Sequence, residues 1–585
     1  MSFWKLGVVS LLGALGCSAD DSGAAAEAGT EDSGGSTGRT TSAATDAGES
    51  EGSADVGENT AETGTSIGTG DDTGGDDAPV AWQLDEGHYY AAVMDPVVIY
   101  PRPDSEVGEW ARHRWAHPGV EFRIPAAVVQ GGAWPFLYEL VDGPPGATVG
   151  QTLEWEGDRM VAGADYGVVS WTPPDTAQGS TVDFHIRVTD QEGTTVDAQW
   201  TTTVDSERFV FVAMDGDDAA DGSIDDPLAT ASGWYRDEPS DATYADHLVY
   251  FRGGNYAPRG APDNNNNFRM EAGVKPMSIM GFPGEDVTFD ATGSSWTFQN
   301  GTNDVYFSGI HFNGSKLEQP DGAPIRNARM IGFYGTSNHQ RITFFDNRVS
   351  NIEPGNPLDD SFGNDNPAFV WRPSTGAVRG EYWAFVNNEF ETAGPRTSNG
   401  PSCVSLSCVS HVVYENNRVV AWAGTGTFFD KANNDYVTQR NNDLWLVGTR
   451  DGSLGHGLGA GMSGSYDPDH RPGYFETCWN RIQTPNTGVS QLAVQVGLSA
   501  DPDNGPVWLY RNSIRGNVAF VRIDRFEATA DRNVIQGEYV QQGADVVGAG
   551  DNYENADWTA EVFDAQGWLA GEAADVVGTH GADVR

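Results

Sequence analysis

The feature that most constrains the fold is an asparagine that recurs between two short apolar runs. It stands in "HVVYENNRVVAW" at 411–422 and returns in "RITFFDNRVSNI", "EYWAFVNNEFET" and "DYVTQRNNDLWL". Alternate residues before the asparagine are mostly apolar, and so is the second residue after it, which predicts a strand, a turn at the asparagine and a second strand. The repeats align on Asn347, Asn388, Asn417, Asn442, Asn480, Asn512 and Asn533.

The spacing of these asparagines distinguishes a solenoid from other repeat folds. Successive aligned residues lie 41, 29, 25, 38, 32 and 21 positions apart. A constant core pattern at unequal spacing is typical of a solenoid whose coils carry insertions. The shorter intervals have little room for the four strands of a propeller blade. We therefore predict an all-β chain with a right-handed parallel β-helix of about a dozen coils over residues 206–585.

The start of this segment resembles known proteins. "FVFVAMDGDDAADGSIDDPLATAS", "DHLVYFRGGNYAPRG", "KPMSIMGFPGEDVTFDATG" and "VYFSGIHFNGS" follow one another from Phe209. Together they resemble the opening of pectate-lyase-like β-helix proteins, where a capping helix follows the first of these stretches. The superfamily contains lyases, hydrolases, epimerases and adhesins, so the resemblance implies a fold rather than one reaction.

A column of alternating charge follows the aligned asparagines. Its members are Arg348, Glu389, Arg418, Asp443 and Arg481. Residues stacked from coil to coil lie about 4.8 Å apart, so opposite charges attract and like charges oppose the register. We predict that these five residues form one column along the solenoid.

The N-terminus has the pattern of an export signal. A lysine precedes the short apolar stretch "LGVVSLLGALG", and Cys17 follows it directly. Residues 1–17 resemble a bacterial lipoprotein signal with Cys17 as the lipidated residue, and an ordinary secretory signal is the alternative. Residues 18–80 are rich in Gly, Ser, Thr and acidic residues, which predicts a disordered tether. We expect a protein anchored by lipid in the cell envelope, at the outer membrane or cell surface.

Residues 81–205 predict a small β-sandwich. "DFHIRVTD" and "TTVDAQWTTTV" alternate apolar and polar residues around the turn "QEG". The stretch 138–204 resembles the immunoglobulin-like modules of bacterial surface proteins, which implies a spacer domain.

The charge of the chain limits its partners. The formal net charge is −50 and the sequence pI is about 4.3. Such a surface repels nucleic acids, and it repels polyanionic sugars unless a metal or a basic patch intervenes. We expect a monomer whose partner is a polysaccharide or surface glycan and whose only membrane contact is the lipid anchor.

Each predicted coil has a first strand before the asparagine, a second strand after it and then a third strand. Long insertions follow some of the second strands, and we predict that they form the walls of a groove over the face made by the third strands. Lys431 ends a third strand and is the only lysine after Lys316. In a lyase that removes a proton beside a uronate carboxylate, Lys431 would be the base and Arg440 or Arg450 the electrophile. The alternative is a surface lysine that bonds nearby carboxylates. Paired carboxylates of a glycoside hydrolase are a further alternative, with Asp430 facing Asp359, Asp360 and Asp365.

Other clusters of charged residues suggest sites for a sugar or a metal ion. The densest basic group would hold an anionic sugar unless it forms internal ion pairs; it contains Arg511, Arg515, Arg522, Arg525 and Arg532. Asp215, Asp217 and Asp221 suggest a structural calcium site in the cap. A loop with His456, Asp467, Asp469 and His470 is a metal site or a solvated loop.

Cys403 and Cys408 would form a disulfide if the chain turns between them, but not if "CVSLSC" is one extended strand. The patterns together indicate a protein that binds or processes a polysaccharide, with β-elimination of a uronate polymer as one reaction. A non-catalytic adhesin or surface-structure protein is the main alternative.

Overall fold

The computed structural model describes most of the chain beyond residue 91. The described residues are 92, 94–129, 131–151, 153–156, 159–229, 248–256, 267–270, 278–290, 295–299, 303–313, 331–335, 338–352, 369–373, 379–392, 403–422, 427–430, 434–448, 456–460, 473–483, 492–496, 504–521, 526–537, 539–542 and 550–583. Residues 1–17 and 18–80, and with them the predicted signal, Cys17 and tether, lie outside this part. Within it, no helix has the length and apolar character needed to cross a membrane.

The chain is all-β and forms the predicted parallel β-helix from Phe209 onward. Among the described residues, three parallel sheets run along it, with 11, 11 and 10 strands. The first sheet contains Phe209–Val212, Leu248–Phe251, Ser278–Gly281, Asn303–Ser308, His339–Phe345, Gly380–Val386, Val409–Glu415, Asp435–Arg440, Phe475–Cys478, Asn504–Tyr510 and Phe526–Asp531.

The other two sheets follow the turn in each coil. The second sheet contains Gly254–Tyr256, Val287–Asp290, His311–Asn313, Arg348–Ile352, Glu389–Thr392, Arg418–Trp422, Asp443–Gly448, Arg481–Gln483, Ser513–Arg515, Val534–Gln536 and Tyr553–Asn555. The third contains Asn267–Met270, Ser295–Gln299, Ile331–Gly335, Phe369–Pro373, Val404–Leu406, Phe428–Asp430, His456–Ala460, Leu492–Val496, Asn517–Val521 and Tyr539–Gln542.

One continuous core fills the β-helix. The predicted inward residues of successive coils, such as Ile342, Trp383 and Val412, are at most 1% exposed and belong to a single hydrophobic cluster. Aromatic rings stack between coils, as Phe385 and Tyr414 do with centroids 5.1 Å apart. Each buried side chain of this size contributes about 1.5–3 kcal/mol, so the cluster accounts for much of the stability.

The aligned asparagines form a buried ladder. The Oδ1 of Asn442 accepts bonds from the backbone N–H and the Nδ2 of Asn417, at 3.0 and 2.9 Å. Its own Nδ2 donates to the Tyr414 carbonyl at 2.9 Å and to the Oδ1 of Asn480 at 2.9 Å. The same side-chain bonds run from Asn347 through all the aligned residues to Asn552.

The left-handed residue of each turn is the one before the aligned asparagine, not the asparagine itself as the pattern suggested. We call this set the turn column, and its φ angles lie between 51° and 57°. The aligned asparagine instead points inward, because only a buried amide can bond the coils on both sides. The turn column contains Asp346, Asn387, Asn416, Asn441, Trp479, Arg511 and Arg532.

The charge column is confirmed. Register pairs link its members in order: Arg348 with Glu389, Glu389 with Arg418, Arg418 with Asp443, and Asp443 with Arg481. The guanidinium of Arg348 lies 3.9 Å from the Glu389 carboxylate, and that of Arg481 lies 3.5 Å from Asp443. Exposed pairs of this kind contribute a few tenths of a kcal/mol each, which is enough to disfavour a shifted register.

The sandwich precedes the β-helix. Its larger sheet orders Trp115–Ala116, Thr195–Val204, Thr181–Thr189 and Leu137–Asp142, and its smaller sheet orders Phe122–Pro125, Val168–Trp171 and Thr148–Val149. Val97–Tyr100 pairs with Ala127–Val129, and Leu153–Glu156 pairs with Arg159–Ala162. The predicted hairpin is present, with Phe184, Ile186 and Val188 buried. Short 3-10 turns occur at Arg112–Arg114, Asp175–Ala177, Ser206–Arg208 and Gly571–Val576.

The sandwich packs directly against the outer face of the first sheet. Its role as a spacer stays a prediction. Outward residues such as Tyr306, Phe345 and Val413 belong to the same hydrophobic cluster as the sandwich core. The Tyr306 hydroxyl donates to the Arg123 carbonyl at 3.0 Å, and Asn387 donates to the Ala164 carbonyl at 2.9 Å. Sandwich and β-helix belong to one compact unit.

A C-terminal segment without long strands covers the last coils. Val562, Phe563, Leu569 and Ala573 form a small cluster with Val534 of the second sheet. The Asp583 carboxylate accepts the Leu569 N–H at 2.7 Å. The predicted 206–585 domain therefore ends in a cap rather than in further coils.

Candidate functional site

A second column of left-handed residues runs along the first sheet, and we call it the stripe. It contains Asp304, Arg341, Tyr382, His411 and Tyr436, with φ between 50° and 60°. The strand register places these residues one above another in five successive coils. A bulky residue in this conformation costs about 1–3 kcal/mol, and such strain is concentrated at functional sites. Five adjacent cases make the stripe the strongest candidate site.

The aromatic members of the stripe stack on one another. The His411 ring lies between Tyr382 and Tyr436, with centroid distances of 5.2 and 4.7 Å. The Arg102 guanidinium of the sandwich lies 4.4 Å from the centre of the Tyr382 ring. All three side chains are half-buried, and Tyr382 also packs against the hydrophobic cluster that contains the sandwich core. The stack holds the rings in fixed positions, as a binding surface requires.

Polar groups surround the stack. The Ser410 hydroxyl lies 2.8 Å from the Nδ1 of His411. Asp435, in the coil of Tyr436, pairs with Arg379 at 2.7 Å and accepts the Gly473 N–H at 2.7 Å. At the other end, Asp304 is buried and forms an ion pair with Arg341. The stripe therefore combines cations, carboxylates and aromatic edges within a few coils.

The electrostatics of the stripe keep His411 neutral. Burial lowers the pKa of His411 below its ordinary 6.5, and the nearby positive charge of Arg102 lowers it further; Asp435 acts in the opposite direction. A neutral imidazole at neutral pH can accept a proton. Because Ser410 occupies Nδ1, the ring nitrogen that remains for a ligand is Nε2.

The predicted lyase residues are only partly within the described chain. Lys431 and Arg450 lie outside it. Arg440 is fully buried beneath the sandwich, where it pairs with Glu415 at 2.9 Å and donates to the Val128 carbonyl at 2.8 Å. An electrophile touches its substrate, and this guanidinium has no exposed surface. The structure therefore gives Arg440 a structural role at the junction with the sandwich.

The predicted basic cluster does not form one surface. Arg511 is fully buried, with its guanidinium 4.9 Å from the centre of the Trp479 ring. Burial lowers the pKa of Arg511 to about 9. Arg515 lies on the second sheet, beside Gln483 and Gln536 in neighbouring coils. Arg532 belongs to the turn column, and Arg522 and Arg525 lie outside the described residues.

The predicted calcium site is not assembled. Asp217 and Asp221 each accept the backbone N–H of the residue two places on, at 3.0 and 2.9 Å. These bonds hold the pKa of Asp221 below its ordinary value. In the part of the chain that the structure describes, no group of three His, Cys, Asp or Glu residues is placed to hold a metal, which includes Asp215 and its neighbours.

The remaining sequence candidates lie apart from one another or outside the described residues. Cys403, Cys408 and Cys478 are separate buried thiols, so the predicted disulfide is wrong: the strand Val404–Leu406 holds the first two apart. His456 begins a third-sheet strand and Asp430 ends another. The partners proposed for them, Asp359, Asp360, Asp365, Asp467, Asp469 and His470, lie outside the described residues.

Sequence reasoning missed the stripe although its signal was present. Four of its members stand six residues before an aligned asparagine: Arg341, Tyr382, His411 and Tyr436. In an ordinary strand this position would tolerate any residue, so large polar and aromatic side chains at this position do not indicate a functional site. The left-handed backbone that makes them unusual is visible only in the structure.

Comparison with known proteins adds one distant likeness. No family model matches the chain, and no curated protein matches it. A solved structure described as a rhamnogalacturonan lyase is similar with a TM-score of 0.34 and 12% sequence identity, over 64% of this chain and 99% of that chain.

Proposed function

We propose that the stripe binds a polysaccharide and that the protein acts on it as an exported surface protein. The observation that carries the proposal is the stripe itself: four successive coils hold unfavourable backbone conformations that place Arg, Tyr, His and Tyr at one register, beside the buried Asp304 of the preceding coil. Coils repeat every ~4.8 Å, so these groups form a regular row along the solenoid axis. Such a row suits an extended polymer whose hydroxyl groups recur along its length.

The chemistry of the stripe supports a uronate polymer. Arg102 lies over the Tyr382 ring and brings positive charge close to the neutral imidazole of His411, and Arg379 forms an ion pair with Asp435 in the coil of Tyr436. β-Elimination requires a base to remove the proton beside the uronate carboxylate and a cation to stabilise the resulting enolate. His411 Nε2 is one candidate base. Lys431, three residues before Asn434 in the corner that leads to Tyr436, is the other.

Export is the second part of the proposal. It rests on the apolar N-terminal stretch, Cys17 and the acidic segment that follows. Lipidation at Cys17 would hold the protein on a membrane surface outside the cytoplasm. Replacing this residue, Cys17→Ser, should move the protein from the membrane fraction to the soluble fraction.

Binding without catalysis is the rival function, and one observation favours it. The rings of the stripe pack against each other rather than around an enclosed cavity. A surface of this kind can hold a glycan without removing a proton from it. The discriminating measurement is therefore formation of unsaturated products.

The test compares two histidine variants on polygalacturonate. His411→Gln should weaken polymer binding at least tenfold and, if His411 is the base, lower the rate of unsaturated product formation by about a hundredfold or more. His580→Gln, in the C-terminal cap, is the matched control and should change neither. If Lys431 is the base, Lys431→Ala removes turnover while polymer binding remains.

The outcomes separate the alternatives. Binding with no unsaturated product from the wild-type protein would identify a non-catalytic glycan receptor. Equal binding by the wild-type protein and His411→Gln, for polygalacturonate and for neutral polysaccharides alike, would remove the stripe as the site.

A further inference from the structure

A separate cleft opens between the sandwich and the first coils of the β-helix. Its volume is about 140 Å³. Arg112, Glu121 and Arg123 line it from the sandwich side. The β-helix side contributes aromatic and acidic residues of three coils, namely Tyr250, Phe282, Glu285, Phe345 and Asp346. None of these residues belongs to the stripe, so the cleft is a distinct place in the molecule.

Arg112 is the unusual group of this cleft. Its side chain is 2% exposed, yet its hydrogen bonds go to the Trp115 carbonyl and, at 3.1 Å, to the Tyr250 hydroxyl. Its Nε has no hydrogen-bond partner among the described residues. The ring faces of Phe122 and Phe209 lie 4.7 and 6.0 Å from its guanidinium. A buried cation without a carboxylate partner is expensive, and an anionic ligand would supply that partner.

Unlike Arg112, two carboxylates of the cleft have ion-pair partners. Asp346 pairs with Arg123 at 2.8 Å, and Glu285 pairs with Arg252 at 2.6 Å. Both are therefore compensated, and each still has lone pairs that accept bonds from hydroxyl groups. Glu121 lies exposed at the mouth. The three carboxylates of the cleft would repel a doubly charged phosphate. A ligand with one carboxylate and several hydroxyl groups fits better, because its carboxylate can pair with Arg112 and its hydroxyl groups can donate to the carboxylates of the cleft.

We propose that this cleft binds a single carboxylated sugar unit, with its carboxylate on Arg112. The hydroxyl groups bond to Asp346 and Glu285, and the half-buried ring of Phe282 packs against an apolar face of the sugar. The volume suits one small ligand rather than an oligosaccharide. This proposal does not depend on the stripe, because it uses other residues and another ligand size.

Paired sugars test the proposal on the intact protein. D-Galacturonate and D-glucuronate are titrated by calorimetry beside D-galactose and D-glucose, which lack only the carboxylate. A charged hydrogen bond is worth about 1.5–3 kcal/mol, so at least one sugar acid should bind about ten- to a hundredfold more tightly than its neutral partner.

Two variants locate the binding. Ser308→Phe places a ring in the cleft from its half-exposed rim and should weaken sugar-acid binding at least tenfold. Thr181→Phe, on the exposed edge of the sandwich, is the matched control and should leave binding unchanged. Arg112→Gln should remove the preference for the acid over the neutral sugar. Arg112 is buried, and its loss affects folding. If Arg112→Gln does not fold, the titration of Ser308→Phe tests the proposal.

Three results would overturn the proposal: no binding of either sugar acid, equal binding of acid and neutral sugar, or undiminished binding by Ser308→Phe. Because these titrations use monosaccharides and the stripe assay uses a polymer, failure of one does not imply failure of the other.

Discussion

The turn column and the stripe place the same backbone conformation at two registers of the same coils, but with different residues. In the turn column, four successive coils use Asp or Asn, the residues that adopt a left-handed φ at least cost. In the stripe, the same four coils use Arg, Tyr, His and Tyr, which adopt it reluctantly. The turn column continues with Trp479, Arg511 and Arg532, so the contrast holds in the four coils that both columns share. In those coils the stripe contains residues that the fold alone would not select, which is why we assign function to it.

The largest expected effect concerns the ladder that supports the turn column. Asn442→Leu removes the amide that makes four hydrogen bonds to neighbouring coils and leaves buried N–H and carbonyl groups without partners. We expect the free energy of unfolding to fall by about 3–5 kcal/mol, measured by urea denaturation. Asn552→Leu is the control, because this last rung is half-exposed and water can replace its bonds. Equal losses from both variants would contradict a special role for burial.

Exchanging residue types between the columns should give smaller effects, and the two exchanges should differ in size. Asn416→Tyr puts a tyrosine into the turn column and should destabilise the protein by about 2 kcal/mol, from backbone strain and loss of the 2.6 Å bond to Asn387. Tyr436→Asn relieves strain in the stripe but loses the contact with His411, so stability should change by less than about 1 kcal/mol. Thermal melts of both variants test this. A large loss from Tyr436→Asn would show that the stripe is structural.

The smallest effect is a pH dependence of the stripe. The folded-state pKa of His411 is below 6.5, whereas the unfolded chain has the ordinary value. Between these values the unfolded state binds more protons, so stability falls as pH falls. The slope is less than ~1.4 kcal/mol per pH unit, because the side chain is half-buried. Stability measured from about pH 7 to about pH 5 should fall less in His411→Gln than in the wild-type protein.

His113 supplies a comparison for that measurement. It is buried in the sandwich, and burial lowers its pKa to about 3. It contributes the same sign of pH dependence in both proteins, so it cancels in the difference between wild type and His411→Gln. A wild-type stability that falls relative to that of His411→Gln as the pH rises would contradict the lowered pKa of His411.

Periodic features of the molecule could be predicted from the sequence. The aligned asparagines indicated the coils, and the inward position of Ile342, Trp383 and Val412 followed from alternation. The charge column was predicted residue by residue, because a parallel register stacks equivalent positions. These features depend on local patterns that every coil repeats.

Contacts between distant parts of the chain could not be predicted in this way. Arg440 appeared to be a surface cation, since nothing in its coil shows that Val128 of the sandwich covers it. Asp217 and Asp221 each accept a backbone N–H of their own turn, a contact that the calcium prediction did not include. The stripe was missed because sequence alignment reports residue types and not backbone angles.

The asparagine ladder has a consequence for how such a protein can change over evolutionary time. Each rung makes the same set of bonds to the next, whether 21 or 41 residues separate them. A coil is therefore an interchangeable module: duplication or deletion of one whole coil leaves every remaining rung with an equivalent neighbour. The number of residues between rungs can change and new surface loops can be added, while the asparagine ladder and the coils that hold the stripe are retained.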